Sequence, residues 1–230
     1  MQHSFIMKNV PYNFQRARST EAKEQREAAI LKAARALAAT HGVRQITLTD
    51  IADAVGMHKS ALLRYFETRE QIFLILTAEG WSEWSSALRK ELSQLEEPSP
   101  AAVAGIFAKT LTARPTFCDL LAQAPLNLER NVSLDAVRAF KLIALNEVKV
   151  IGSELKRLLG FSSRQATDMI ATATSMAGAL WQMATPGPQV SALYRSEPEL
   201  AHAIVDVEPR LTRILAGLIT GYLAEKAKRK

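Results

Sequence analysis

The sequence predicts an all-α protein made of a small N-terminal helical domain and a larger C-terminal helical domain. Apolar residues recur at spacings of three and four from Thr20 onward, and no segment alternates apolar and polar residues as a half-buried strand does. Proline and glycine interrupt this pattern at intervals of helix length. The breaks predict C-terminal helices at about 69–95, 99–113, 116–123, 131–159, 163–184 and 198–227.

The first domain is predicted from residue 20 to residue 68 and the second from 69 to 230, after a flexible segment at 1–19. The 1–19 segment has mixed polarity, and Met7 within it is a second candidate start beside Met1. A first helix follows, with Ile30 and Ala34 on its apolar face, and Gly42 ends it.

Charge is distributed unevenly along the chain. Its 230 residues include 29 basic and 23 acidic side chains, a net charge of +6, and the first 70 residues hold 11 basic and 7 acidic ones. A basic end can bind nucleic-acid phosphates by releasing counterions. Because there is no apolar run of the roughly 20 residues that span a bilayer, no secretion leader and only one cysteine, Cys118, we expect a cytoplasmic protein without a disulfide.

Two short helices joined by a glycine turn are predicted between Thr47 and Phe66. Thr47 is a good N-cap, and Asp50 three residues later fits the acidic half of a capping box. Gly56 suits the left-handed turn that ends the first short helix, and the second runs from about Lys59 to Phe66. This arrangement is a helix-turn-helix, whose second helix enters the major groove of double-stranded DNA.

The second short helix is predicted to turn Leu62 and Phe66 toward the core, and Thr68 with Gln71 to form a capping box on the helix that follows. The residues predicted to point outward offer donors for phosphates and base edges, and apolar groups for thymine methyls. They are His58, Lys59, Ser60, Ala61, Leu63, Arg64 and Tyr65. The alternative is a structural helical hairpin in which these side chains only face water.

The run MHKSALLRYFETREQIF, after TLTDIADAVG and a first helix ending in THG, strongly resembles the DNA-binding domain of the TetR (tetracycline repressor) family. The close match covers about residues 23–75. The resemblance implies a ligand-responsive repressor that binds a palindromic operator as a dimer. Activation instead of repression stays open, because it depends on where the operator lies relative to the promoter.

The same resemblance assigns phosphate contacts to Thr47, Lys59 and Arg69. It places nearest to the groove Ser60, Ala61, Arg64 and Tyr65. Two residues depart from the family pattern, since His58 stands where serine is frequent and Leu63 where tyrosine is frequent. Contacts and operator sequence therefore cannot be copied from relatives. Arg16 and Arg18 could reach the minor groove as a basic arm, although a solvated tail is the simpler interpretation.

In this family the last two helices pair with those of a second subunit in a four-helix bundle, and the sequence allows this. Broad apolar faces with small residues among large ones occur within 163–184 and 206–227. On the first segment the face comprises Ala166, Met169, Ile170, Ala173, Thr174, Ala177 and Leu180. We favour a homodimer through these two segments; the alternative is that the faces form core within one subunit.

The family's C-terminal helices also enclose a ligand cavity. Candidate contacts here are Phe107, Phe117, Leu121, Phe140, Ile143, Glu147, Met176 and Trp181. Few of them are polar, so the expected effector is an unknown small molecule of apolar or aromatic character. Each apolar candidate is individually more often plain core than a ligand contact. Trp81 and Trp84 are interpreted as packing residues.

An enzyme has little support in this sequence. The histidines His3, His41, His58 and His202 show no metal-ligand spacing, and no glycine-rich phosphate loop is present. We therefore expect neither catalysis nor a cofactor or metal. The remaining alternative to a regulator is an all-helical dimeric protein-interaction module whose helix-turn-helix no longer binds specific DNA, which His58 and Leu63 make conceivable.

Overall fold

The structure, a computed structural model, describes residues 12–227, with side chains described at 21–200 and 203–225. Regular structure in this part of the chain is entirely helical, which confirms the predicted fold class. The α-helices found there are α1 (Tyr12–His41), α2 (Leu48–Ala54), α3 (Lys59–Leu62), α4 (Arg69–Leu92), α5 (Pro100–Thr112), α6 (Pro115–Gln123), α7 (Leu134–Leu159), α8 (Ser163–Ala184), α9 (Pro188–Ser196) and α10 (Val207–Ala227). Short 3-10 turns lie at Val43–Gln45, Leu128–Arg130 and Pro198–Ala203. Among the described helices, none combines the length and the apolar character that a membrane span requires.

The first helix begins earlier than the sequence predicts. α1 starts at Tyr12 rather than at Thr20, so the helix extends into the segment that was expected to be flexible. The side chains of Arg16 and Arg18, and both candidate starts Met1 and Met7, lie outside the described residues.

α1, α2 and α3 form a small unit around fully buried Ile30, Ala34, Ile51 and Leu62. α1 stops at Gly42, whose φ of 79° is easily adopted by glycine and rarely by other residues. A 3-10 turn at Val43–Gln45 then carries the chain to α2.

α4 connects this unit to the larger domain, because it packs against α1 as well as against α5, α6 and α7. Within the larger domain, the Trp84 ring lies edge-on to Trp81 at 5.5 Å and to Phe107 at 5.9 Å between centroids. Trp84 Nε1 donates to Thr110 Oγ1 at 3.1 Å, which satisfies its polar atom inside the core. Trp81 and Trp84 are therefore packing residues, as predicted.

α6 and α8 approach each other closely. A Cβ atom on Gly178 of α8 would lie 2.9 Å from the backbone nitrogen of Ala122, so only glycine fits without a shift of the two helices. Cys118 on α6 is fully buried and its thiol donates to the Leu111 carbonyl at 3.3 Å. Burial, followed by the charge of Asp119, raises the pKa of Cys118 to about 12, so the thiol is inert at neutral pH.

Between α8 and α10 lies a helix that the sequence analysis did not predict. α9 has Pro188 in its first turn and buries none of its side chains. Val190 is 41% and Leu193 48% exposed. A helix of only 9 residues, without a buried face, gives a pattern too short to distinguish from a loop.

Candidate nucleic-acid interface

α2 begins in the predicted capping box. The Asp50 N–H donates to Thr47 Oγ1 at 3.2 Å, and the Asp50 carboxylate accepts from the N–H and the hydroxyl of Thr47, both at 2.7 Å. The hydroxyl bond, and then the backbone bond, lower the pKa of Asp50. The stabilisation that the Asp50 carboxylate gives to the cap is therefore fully present above the ordinary aspartate pKa. It is lost as pH falls through the lowered pKa. Gly56 follows with the predicted left-handed φ of 65°.

The start of α4 is capped differently from the prediction. Thr68 Oγ1 accepts from the Gln71 N–H at 3.1 Å, as expected. The Gln71 side chain, however, accepts from the N–H of Glu67 at 2.6 Å, so the predicted reciprocal bond to Thr68 is wrong. Thr68 Oγ1 also donates to the Asn131 carbonyl at 3.1 Å, which ties the cap to the loop before α7.

α3 turns Leu62 into the core, with Phe66 close by at 5% exposure. On its outer side lie the exposed side chains of His58, Lys59, Ser60, Leu63 and Arg64. Ala61 and Tyr65, which were predicted to point outward, are half-buried, and Tyr65 packs against the core. The outer side is therefore narrower than the sequence predicts.

This difference follows from where α3 ends. Its α-helical part stops at Leu62 instead of Phe66. Beyond it, the Arg64 N–H donates to the Ala61 carbonyl at 3.2 Å and the Tyr65 N–H to the Leu62 carbonyl at 2.9 Å. Hydrogen bonds between residues three apart, as in a 3-10 helix, wind the chain more tightly than an α-helix. They therefore change the directions of successive side chains.

Lys59 and Arg64 are the basic residues of this outer side. Neither forms an ion pair with any carboxylate of the described residues. Unpaired cations on an exposed helix can bind DNA phosphates or base edges. Beside them Leu63 is 46% exposed, which offers apolar surface to a thymine methyl.

Arg69, to which the resemblance assigns a phosphate contact, forms several bonds inside the protein. Its guanidinium donates to the backbone carbonyls of Val43 and Ile46, and to the Glu70 carboxylate at 2.8 Å. It also lies 4.7 Å above the Phe73 ring, and its side chain is only 15% exposed. Three of the five N–H groups of its guanidinium thus donate inside the protein, and Arg69 joins α4 to the turn before α2.

The same turn is held from another direction by Asp119 on α6, which the sequence analysis missed. One Asp119 carboxylate oxygen accepts from the Val43 N–H at 2.7 Å, and the other accepts from Gln182 Nε2 at 2.8 Å. The partners are 76 and 63 residues away in sequence, so no local pattern announces them. Through Arg69, Asp119 and Gln182, helices α4, α6 and α8 all connect to the segment that precedes α2.

A cavity of about 520 Å³ lies between α4 and α7, next to α1. Its apolar lining consists of Leu74, Ile75, Ala78, Ala136, Ala139, Phe140 and Ile143. Three charged residues also line it: Arg35 on α1, and Glu79 and Glu83 on α4. Arg35 forms an ion pair with Glu79, which joins α1 to α4. The volume is within the range of small-molecule sites.

The predicted ligand contacts do not converge on one cavity. Phe140 and Ile143 line the α4–α7 cavity, and Glu147 accepts from the hydroxyl of its lining residue Ser82 at 3.2 Å. The others lie elsewhere: Phe107 and Phe117 in the aromatic cluster around Trp84, Leu121 and Met176 half-buried against the core, and Trp181 at a separate cavity between α1, α6 and α8. Phe107 is fully buried, so its side chain belongs to the core and not to the lining of a cavity.

The predicted apolar face of α8 is buried within this chain. Ala166, Met169, Ile170, Ala173, Thr174, Ala177 and Leu180 are each at most 6% exposed, and α8 packs on α6, α7 and α10. On α10, Leu211, Leu215 and Ile219 are likewise fully buried. The α8 face and this part of the α10 face are therefore core of a single chain, which corrects the expectation that they are held for a partner.

Comparison with family models accounts for both domains. Residues 30–76 match the model described as bacterial regulatory proteins, tetR family, and residues 78–226 match the model described as tetracyclin repressor-like, C-terminal domain. No curated protein matches the sequence.

Solved structures of the same fold include bacterial transcriptional regulators. A transcriptional regulator from Pseudomonas aeruginosa PAO1 is 15% identical with a TM-score of 0.54, and the alignment covers 90% of this chain and 94% of that one. Thermus thermophilus FadR, a TetR family repressor solved with lauroyl-CoA, is 19% identical with a TM-score of 0.51, covering 82% and 92%. Identities this low show a shared fold alone. The family models, which span the helix-turn-helix and nearly all of the larger domain, establish that this chain belongs to the TetR family of transcriptional regulators.

Proposed function

We propose that this protein is a dimeric, ligand-responsive repressor that binds a palindromic operator in double-stranded DNA through α3. The observation that carries this proposal is the outer side of α3, where Lys59 and Arg64 are exposed and unpaired among the described residues. The caps of α2 and α4 and the bonds of Arg69 hold this short helix in place. A held helix with free donors is suited to the major groove.

Within this proposal, Lys59 binds a phosphate and Arg64 binds a phosphate or a guanine edge. Ser60 and His58 donate to the backbone or to base edges, and Leu63 contacts a thymine methyl. Ala61 and Tyr65 are half-buried and would add only their outer edges. Thr47 is exposed, but its hydroxyl donates to Asp50, so the cap is its first role.

Helices α8 and α10 pack against each other within the chain. Their outer sides support a two-fold dimer. No residue from Ala171 to Ala184, or from Ile214 to Ala224, is charged. Exposed positions there are small or apolar; they are Ala171, Ser175, Ala179 and Met183 on α8, and Ile214, Gly217, Thr220, Gly221 and Ala224 on α10. Small residues permit close helix packing, so two copies could form a four-helix bundle on this side.

Regulation by a small molecule is supported by the α4–α7 cavity, which touches both α1 of the DNA-binding domain and the larger domain. Thermus thermophilus FadR binds lauroyl-CoA within the same fold. We infer regulation rather than catalysis; the chain's one cysteine is buried, and its raised pKa leaves no thiolate nucleophile at neutral pH.

Charge reversal on α3 tests the DNA-binding surface. We expect Lys59→Glu and Arg64→Glu each to weaken operator binding roughly ten- to hundredfold, because each replaces a phosphate or base contact with repulsion. Fluorescence anisotropy with a labelled operator measures this, and sedimentation should show an unchanged oligomer. Lys149→Glu, the same charge change at an exposed site on α7, is the control. Unchanged affinity in both α3 variants would instead support the protein-interaction alternative.

Arg69→Gln separates a structural role from a phosphate contact. We expect the free energy of unfolding in urea to fall by about 1–3 kcal/mol, because two backbone carbonyls lose a charged donor. The salt dependence of operator binding should keep its slope. Lys59→Gln should do the opposite, lowering the slope by about one unit with little change in stability. A reduced slope with unchanged stability in Arg69→Gln would restore the phosphate role.

Ile214→Asp tests the proposed dimer face. Ile214 is 37% exposed in the uncharged stretch of α10, and a carboxylate there would be buried without a partner in a dimer. We expect the dimer dissociation constant to rise by about tenfold or more in analytical ultracentrifugation. Leu134→Asp, at a site 86% exposed on α7, is the matched control. A dimer equally stable in both variants would place the interface elsewhere.

A further inference from the structure

We propose that the α4–α7 cavity binds an organic cation with an apolar body, and that this cation acts by replacing Arg35 at Glu79. The inference rests on the proposed function. It adds the chemical class of the effector and the contact through which the effector reaches the DNA-binding domain.

The cavity floor requires an apolar body. Leu74, Ala78 and Phe140 are each at most 6% exposed and present only hydrocarbon to the cavity. At the mouth Ile143 is 42% exposed, and a bound apolar group would remove part of that surface from water. A cavity of about 520 Å³ can hold a chain or ring system of drug size.

The charges around the mouth select a cation. Glu83 lines the cavity and has no cationic partner among the described residues, while Arg35 is already paired with Glu79. Glu147, next to the mouth, bonds to the Ser82 hydroxyl. An incoming carboxylate would therefore meet unneutralised carboxylates, whereas an ammonium group would be attracted by them.

The basic residues of α7 do not reverse this balance. Neither Arg138 nor Lys141 lines the cavity. Lys141 Nζ lies 5.4 Å from the Phe140 ring centroid, but it is paired with Glu129 at 2.8 Å. Among the charged residues that line the cavity, the Glu83 carboxylate is therefore the one without an ion-pair partner in the described part of the chain.

The Arg35–Glu79 pair is placed to respond to such a ligand. A second cavity, of about 270 Å³ between α1, α4 and α6, shares Arg35, Glu79 and Glu83 with the first, so the pair stands at the boundary between them. The side chains of Arg35 and Glu79 are 49% and 39% exposed. Ion pairs this exposed are weak, and a better-held cation can displace the guanidinium.

Displacement of Arg35 from Glu79 would change the position of the DNA-binding domain, because this ion pair joins α1 to the shared helix α4. A ligand that favours the separated arrangement shifts the position of α1, and with it the spacing of the two reading helices in a dimer. DNA binding and cation binding should then oppose each other.

Direct binding tests the ligand class on the full-length protein without DNA. In isothermal titration calorimetry we expect decyltrimethylammonium to bind and decanoate, its anionic counterpart, to bind at least about tenfold more weakly. Glu83→Gln should weaken the cation about tenfold, and Ala78→Trp should block it by filling the floor. Glu97→Gln, an exposed glutamate in the α4–α5 loop, is the control. Equal or tighter binding of decanoate, or no binding of either probe, would overturn the proposal.

Operator binding tests the regulatory contact. Decyltrimethylammonium should weaken operator binding by wild type but not by Glu83→Gln, which also excludes an effect of the probe on DNA itself. Arg35→Gln should weaken operator binding without ligand and remove most of the response, while Lys32→Gln, another exposed cation of α1, should do neither. A full response in Arg35→Gln would refute the displacement step. A protein that binds the operator but ignores the cation contradicts this inference alone, whereas absence of any specific operator contradicts the proposed function.

Discussion

The placement of α2 and α3 depends on the hydrogen bonds that Arg69 donates to the carbonyls of Val43 and Ile46. Val43 begins the 3-10 turn and Ile46 follows it, so no regular helix supplies hydrogen bonds to their carbonyls. An unpaired carbonyl at a partly buried position is costly. A guanidinium offers several donors in a fixed plane, and charged donors form the stronger bonds. The first residue of α4 thereby fixes the entry to the helix-turn-helix.

The two domains of this regulator are consequently connected by hydrogen bonds at residues 43–46. Arg69 reaches that segment from α4, and Asp119 reaches it from α6 while bonding to Gln182 of α8. A movement in the larger domain therefore has short routes to the segment that precedes α2, without any need for a long chain of contacts. The Arg35–Glu79 pair adds a weaker and more exposed connection, the kind that a ligand can exchange.

Signals carried by a few neighbouring residues could be predicted from the sequence. Thr47 with Asp50, the left-handed Gly56, and the bounds of α8 at 163–184 all follow from local capping and periodicity, and the structure confirms them. The partners that each side chain contacts in three dimensions could not be predicted. An amphipathic pattern identifies the buried face of α8 but not its partners, which proved to be α6, α7 and α10 of the same chain. Arg69 occupies a family position, yet its direction depends on a turn that lies 23 and 26 residues earlier.

In the proposed complex, a dimer reads a two-fold DNA site with one α3 from each subunit. Selection of bound sequences from a random DNA pool by the purified full-length protein, at two salt concentrations, tests it most directly. We expect an enriched palindrome whose half-sites lie about one helical turn apart, with the same consensus at both salt concentrations. Weak, salt-sensitive binding without an enriched sequence would mean that the protein contacts phosphates only, and would contradict it.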